Sequence, residues 1–254
     1  LPDRREAATR HQGLQVPTED KTRMANSFFS FKQFTVNQHL CAMKVGIDGV
    51  LSGALTDIGN CRNILDIGTG TGLIALMLAQ RCSAKIMAID IDPGAIRQAN
   101  ENISNSPWPD RIETREISLQ EYSEQINDKF DLIVSNPPYF INALKSPDPS
   151  RSTARHTDQL THTELLLHSK KLLAEKGKIS IILPVNEGFE CINYAKTIGL
   201  FCSKLVEVYP KPDKPVKRLI MEFVTERVET EKSKIIIETT ERHRYSEEFS
   251  LLVK

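Results

Sequence analysis

From Asn63 the chain passes through an apolar run, Asn63–Ile67, into Asp66-Ile67-Gly68-Thr69-Gly70-Thr71-Gly72 and then a helical pattern over Leu73–Gln80. Glycines at alternate positions let the backbone take positive φ and let a ligand approach closely. The helix that follows contributes unpaired N–H groups at its first turn. A tight strand-to-helix turn alone would read the same way. The strand before and the helix after make it a candidate nucleotide site.

The same alternation continues along the chain. Lys85–Ile91 is followed by a helical stretch at Pro93–Ile103, then come apolar runs at Ile112–Ile117 and Phe130–Ser135, a helical stretch at Thr161–Leu173, a run at Lys178–Leu183 and a helical stretch at Glu187–Ile198. Short strands separated by helices indicate βαβ units and a parallel sheet. Lys204–Tyr209 and Arg218–Thr225 have no helix between them and read as an antiparallel pair closing the sheet. The expected fold is therefore α/β and Rossmann-like: a mostly parallel seven-stranded sheet with an antiparallel last strand and helices on both faces. Ile235–Thr239 reads as one more strand and Glu247–Val253 as an incomplete helix. Residues 1–27 are polar and aperiodic and read as a flexible leader. Residues 28–254 read as one domain, with an extension before the glycine loop.

Bulk properties exclude several classes. Lys plus Arg and Asp plus Glu are both 33, so the net charge makes no case for a nucleic-acid partner, and only local patches could. No stretch approaches the roughly 20 apolar residues of a membrane span. The five scattered cysteines form no C-x-x-C pair and read as reduced thiols of a cytoplasmic protein. His156 lacks a partner cluster, so no metal is expected.

The spacing G-T-G-T-G departs from G-x-G-x-x-G, and no Gly-Lys-Ser/Thr follows, which excludes a P-loop. Asp66 opens the loop where a pyrophosphate would be repelled. A carboxylate there suits a cationic ligand such as the sulfonium amino acid of S-adenosylmethionine. About 20 residues on, Asp90-Ile91-Asp92 ends the second strand, and Asp90 can accept both ribose hydroxyls. Asp92 is the weaker candidate, with a helix-capping role as its alternative. The cofactor set is then Asp66, Gly68, Gly70, Gly72 and Asp90.

The run Phe130–Ser135 ends in Asn136-Pro137-Pro138-Tyr139-Phe140. Ligands of open parallel sheets sit at the carboxyl ends of strands, so this turn shares a crevice with the glycine loop. Pro137 and Pro138 stiffen the backbone and remove donors. The Asn136 side-chain oxygen and the Pro137 carbonyl can then hold the two hydrogens of an exocyclic amine. Tyr139 offers a face on which a base can stack, worth about 1–3 kcal/mol. A methyl transfer from a cationic leaving group needs alignment and no strong general base.

These motifs resemble class I methyltransferases with an N-P-P-Y amino-methylating turn. Phe31-Lys32-Gln33-Phe34-Thr35-Val36-Asn37-Gln38, Cys41-Ala42-Met43-Lys44-Val45-Gly46-Ile47-Asp48-Gly49-Val50 and Ala154-Arg155-His156-Thr157-Asp158 are similar to the bacterial tRNA (adenine-N6)-methyltransferases acting on valine tRNA. The resemblance implies methylation of the adenosine 3′ of the anticodon; a monomer is expected. It implies that Lys44, Gly46 and Asn136 lie against the cofactor, and that Gln38, Tyr139 and Phe140 lie near the target base. The chain has Asn37-Gln38-His39-Leu40 where that family usually shows Asn-Gln-Asp-Arg. Arg151 and Arg155 are candidate RNA contacts; their alternative is capping the helix near Thr161. The turn at 211–218, with Lys214, Lys217 and Arg218, reads equally as a phosphate contact or a solvated hairpin tip. The N-P-P-Y turn is shared by enzymes acting on rRNA adenine and on protein glutamine, so those substrates are the alternatives.

Overall fold

The computed structural model describes residues 27–41, 43–138, 160–241 and 244–252. A hairpin comes first: β1 (Phe28–Ser30) and β2 (Thr35–Asn37), then α1 (Ile47–Leu55). The glycine loop joins β3 (Asn63–Ile67) to α2 (Leu73–Arg81), and β4 (Lys85–Asp90) leads to α3 (Pro93–Ser104). Next come β5 (Ile112–Glu116), α4 (Leu119–Gln125), β6 (Phe130–Ser135) and α5 (His162–Leu172). The remainder is β7 (Leu173–Pro184), α6 (Val185–Thr197), β8 (Phe201–Tyr209), β9 (Arg218–Val224), β10 (Glu231–Ile236) and α7 (Glu247–Leu252).

Strands β3 to β10 form one sheet in the order β10-β8-β9-β7-β6-β3-β4-β5. The central strands are buried on both faces, as parallel strands covered by helices must be. Side chains alternate between those faces. Ile64, Ile86, Leu132 and Val134 pack with Leu76 of α2 and Ala99 of α3. Leu65, Ile89, Ile133 and Ile181 pack on the other face with Tyr122 of α4 and Leu165 of α5. Each fully buried Leu or Ile contributes about 1.5–3 kcal/mol, and truncating one to Ala costs about 2–5 kcal/mol. Helix α1 lies close on α2 because its inner face is small: a Cβ on Gly53 would sit 2.7 Å from Met77 Sδ.

The sheet has eight strands, one more than the seven expected. Strand β9 runs antiparallel to both β7 and β8, and β10 adds on parallel to β8. It covers Glu231–Ile236, earlier than the Ile235–Thr239 run. Its first four residues are exposed and polar and only Ile235 is fully buried, so the strand has no apolar alternation to read. A charged edge of this kind discourages pairing with other chains. Helix α4 also lies outside the apolar pattern. Its start is set by a capping box, the Ser118 hydroxyl on Glu121 N–H and the Glu121 carboxylate on Ser118 N–H.

The five cysteines are free thiols. Among the described residues, no helix is long and apolar enough to cross a membrane. Nor does any group of three His, Cys, Asp or Glu side chains lie close enough to hold a metal ion.

Candidate active site

The strand order reverses between β3 and β6: β4 lies to one side of β3 and β6 to the other. Ile67 pairs with Ser135, so the glycine loop and the Asn136 turn leave the sheet side by side. The buried Ser135 hydroxyl donates to the Ile67 carbonyl at 2.9 Å and fixes that juncture.

Backbone geometry holds the loop. Gly68 and Thr69 N–H both donate to the Ile89 carbonyl, at 2.9 and 3.0 Å. Gly68, Gly70 and Gly72 have φ of 69°, 56° and 79°, the left-handed region that other residues avoid. A Cβ on Gly68 would meet nothing within 4 Å, which leaves open space over the turn. Gly72 instead lies against Ala99, which its Cβ would approach to 3.4 Å.

Asp66 is fully buried beneath the loop. Its Oδ2 accepts from Thr69 Oγ1 at 2.7 Å and Ala75 N at 3.2 Å, while Oδ1 has no hydrogen-bond partner among the described residues. Burial pushes its carboxyl up to about 7, opposed by those two hydrogen bonds. A buried acceptor without a donor fits a cationic ligand group. Asp90, at the end of β4, accepts from Gly70 N at 2.9 Å and Asp92 N at 3.0 Å. Asp92 caps α3 through Gly94 N at 2.7 Å, the alternative role read for it.

The N-terminal segment closes over the loop from the α3 side. Asn102 is the connector that sequence reasoning missed. Its amide donates to the Thr71 carbonyl of the loop and to the Asn37 carbonyl, both at 2.8 Å, and its oxygen accepts from Asn37 N at 2.8 Å. One turn earlier, Gln98 Oε1 accepts from Leu40 N at 2.8 Å. The signal was present as two polar residues four apart within the apolar stripe of Ala95, Ala99 and Ile103. Gln38 is buried. Its side-chain oxygen accepts from Val45 N at 2.7 Å, and its carbonyl accepts from the Lys44 ammonium. This knot folds residues 38–45 into a loop whose Cys41 sulfur lies 3.8 Å from a Cβ built on Gly70. Gly46 is the exposed N-cap of α1.

Asn136 is half-buried, Pro137 buried and Pro138 exposed. Gly49 of α1 faces Asn136 closely: its Cβ would stand 3.8 Å from Asn136 Nδ2 and 3.0 Å from Leu73 Cδ2. Tyr139, Phe140, Arg151 and Arg155 lie outside the described residues. The basic turn between β8 and β9 is on the same sheet edge, since Arg218 pairs with Pro184 at the carboxyl end of β7. Lys214 and Lys217 are exposed there. Arg218 is turned inward, its Nε donating to Asp48 Oδ2 at 3.0 Å. The structure thus brings Asp66, Gly68, Gly70, Gly72, Asp90 and Asn136 together at the carboxyl ends of β3, β4 and β6, with the Gln38–Lys44 loop beside them. It sets Lys214 and Lys217 apart on the turn.

An open parallel sheet with a glycine loop and an Asn-Pro-Pro turn at its switch point is the frame of a methyltransferase. Residues 49–193 match the methyltransferase small domain, and the chain belongs to that family. A tRNA1(Val) (adenine(37)-N6)-methyltransferase from Parabacteroides distasonis is 52% identical over 231 residues, covering 91% of this chain and 98% of its own. Proteins of the same name from Trichodesmium erythraeum and Haemophilus influenzae are 44% and 41% identical, covering 91% and 90% of this chain and 98% and 97% of theirs. Within the methyltransferases, the chain is a member of the family these relatives form. Solved structures share the fold. A predicted O-methyltransferase from Agrobacterium tumefaciens superposes with a TM-score of 0.64 at 18% identity, covering 81% of this chain and 95% of that one. A ribosomal protein L11 methylase from Lactobacillus delbrueckii gives 0.52 at 16% identity, over 71% and 77%.

Proposed function

We propose that this chain methylates the N6 amine of an adenosine in tRNA, the one adjacent to the anticodon of valine tRNA, with S-adenosylmethionine as donor. The observation that carries this reading is the Ile67–Ser135 register, which sets the glycine loop beside the Asn136 turn. When bound, the cofactor supplies an electrophilic methyl group on a sulfonium. The chain's residues supply the rest. The glycine loop would give backbone close approach, Asp90 would accept from the ribose hydroxyls, and Asp66 Oδ1, without a partner among the described residues, would accept from the ligand's amino group. The Asn136 oxygen and the Pro137 carbonyl hold the two hydrogens of the target amine, so that its lone pair faces the methyl group. Alignment supplies the rate, and the alkylated amine would lose its proton to solvent water, so no general base is needed.

The choice of tRNA over rRNA or protein glutamine is supported by the relatives, which carry the tRNA name across nearly the whole chain. The exposed Lys214 and Lys217 sit on the site's side of the sheet, where they would contact phosphates. The family resemblance assigns Gln38 to the target base, Lys44 and Gly46 to the cofactor, and Tyr139, Phe140, Arg151 and Arg155 to base and RNA contacts. The enzyme works as a cytoplasmic monomer.

The test is transfer of labelled methyl to unmodified valine tRNA. Wild-type protein is expected to label one adenosine, and Asn136→Ala to lower the rate by about 10²–10³-fold with the fold intact. Labelling of rRNA or a release factor instead of tRNA would overturn the substrate assignment.

A further inference from the structure

We propose that Asp48 and Arg218 form a positioning pair that seats α1 against Asn136 and ties the basic turn to the catalytic turn. The inference rests on the reading of Asn136 as the holder of the target amine.

The two residues lie 170 apart in sequence and meet through Arg218 Nε and Asp48 Oδ2 at 3.0 Å. Both side chains are mostly withdrawn from solvent, at 19% and 17% exposure, so water screens the pair only weakly. Asp48 sits in the first turn of α1, where a negative charge complements the helix dipole. Arg218 is the first residue of β9, held between Pro184 of β7 and Val208 of β8. Its Nη1 also donates to the Lys217 carbonyl at 2.9 Å, which fixes the end of the basic turn.

The residue after Asp48 is Gly49, wedged between Leu73 and the Asn136 amide. A continuous path therefore runs from the Lys217 carbonyl through Arg218, Asp48 and Gly49 to Asn136. A guanidinium placed this way is poorly disposed to meet RNA. Its neighbours Lys214 and Lys217 are exposed and suited to that task. Arg218 acts on the reaction through the placement of α1.

Asp48→Asn, Arg218→Gln and the double variant test this by steady-state kinetics on valine tRNA. Each single variant is expected to lower kcat by roughly 10–100-fold, with the tRNA KM and its salt dependence within about threefold of wild type. The double variant is expected to be no slower than the singles, as for residues acting as a unit. Arg218→Lys, which keeps the charge, should recover part of the rate. A second readout needs no RNA. The Asn136 side-chain amide NMR resonance, identified by its loss in Asn136→Ala, should shift in both single variants.

A raised tRNA KM with a salt slope reduced by about one in Arg218→Gln alone would make Arg218 a phosphate contact and overturn the proposal. Lowered Tm with unchanged kcat and an unmoved Asn136 resonance would reduce the pair to a structural one and overturn it as well. Wild-type protein that moves no methyl to tRNA, while the resonance shifts as stated, would sink the substrate reading and leave the positioning pair supported.

Discussion

The Asp90 carboxylate and the Gly70 N–H, 20 residues apart in sequence, are joined by a 2.9 Å hydrogen bond. The end of β4 thereby holds the middle of the loop that follows β3. A carboxylate that would take ribose hydroxyls also sets the shape of the loop beside them. Asp90→Ala is expected to weaken S-adenosylmethionine binding by about 10–100-fold, from loss of hydrogen bonds to a charged group. Asp90→Asn, which keeps one acceptor, should fall between. Titration calorimetry measures both, and unchanged affinity in Asp90→Ala would refute the role.

Asp66 links stability, affinity and pH. Its folded carboxyl is raised from 3.8 to about 7 by burial. The folded chain therefore holds a proton that the unfolded chain releases. Stability from this group is full below 3.8 and falls as pH rises toward about 7. Asp66→Asn should remove that slope and raise Tm at pH 7.5, while weakening cofactor binding by roughly tenfold or more through loss of the charged acceptor. Binding to wild-type protein near pH 6 should release protons, read as a heat that varies with buffer ionisation enthalpy. A Tm profile of Asp66→Asn parallel to wild type would contradict this account.

Two glycines of one loop should separate strain from occupancy. Gly72→Ala places a Cβ at φ 79° and 3.4 Å from Ala99 Cβ, so a loss of about 1–3 kcal/mol in stability is expected. Gly68→Ala meets no neighbour within 4 Å. It should cost only the left-handed strain, about 1–2 kcal/mol, yet block the cofactor's approach. Urea denaturation alongside cofactor titration would compare them. Equal loss of affinity from both would argue against the open space over Gly68 as the cofactor's seat.

At the opposite edge of the sheet, Arg111 closes the carboxyl end of α2. Its guanidinium donates to the carbonyls of Ala79 at 2.6 Å and Cys82 at 2.5 Å. Arg111→Ala should cost about 2–3 kcal/mol, from lost charged hydrogen bonds, and leave cofactor affinity within about twofold of wild type. A variant that unfolds at the wild-type urea concentration would show these bonds to be dispensable.

What the sequence determined by itself is local in its physics. Apolar runs alternating with helical patterns from Asn63 to Thr225 placed the strands and most helices, because burial dictates where apolar residues recur. The glycine loop and the Asn136-Pro137-Pro138 turn were legible because their chemistry lies within a few adjacent residues. Ser118 and Glu121 carried an equally local capping signal for α4, one that apolar periodicity does not register. Strand β10 was placed four residues late, on Ile235–Thr239, because the exposed start of an edge strand needs no apolar face. The remaining features belong to the tertiary structure, since each joins groups that no spacing rule connects. Asn102 reaches both Thr71 and Asn37, and Gln38 folds back on Val45 and Lys44. Arg218 reads in sequence as one more cation of a basic turn. Only the packing of β9 beside α1 gives it Asp48 as a partner, because a charge drawn out of water takes its role from the group it meets there.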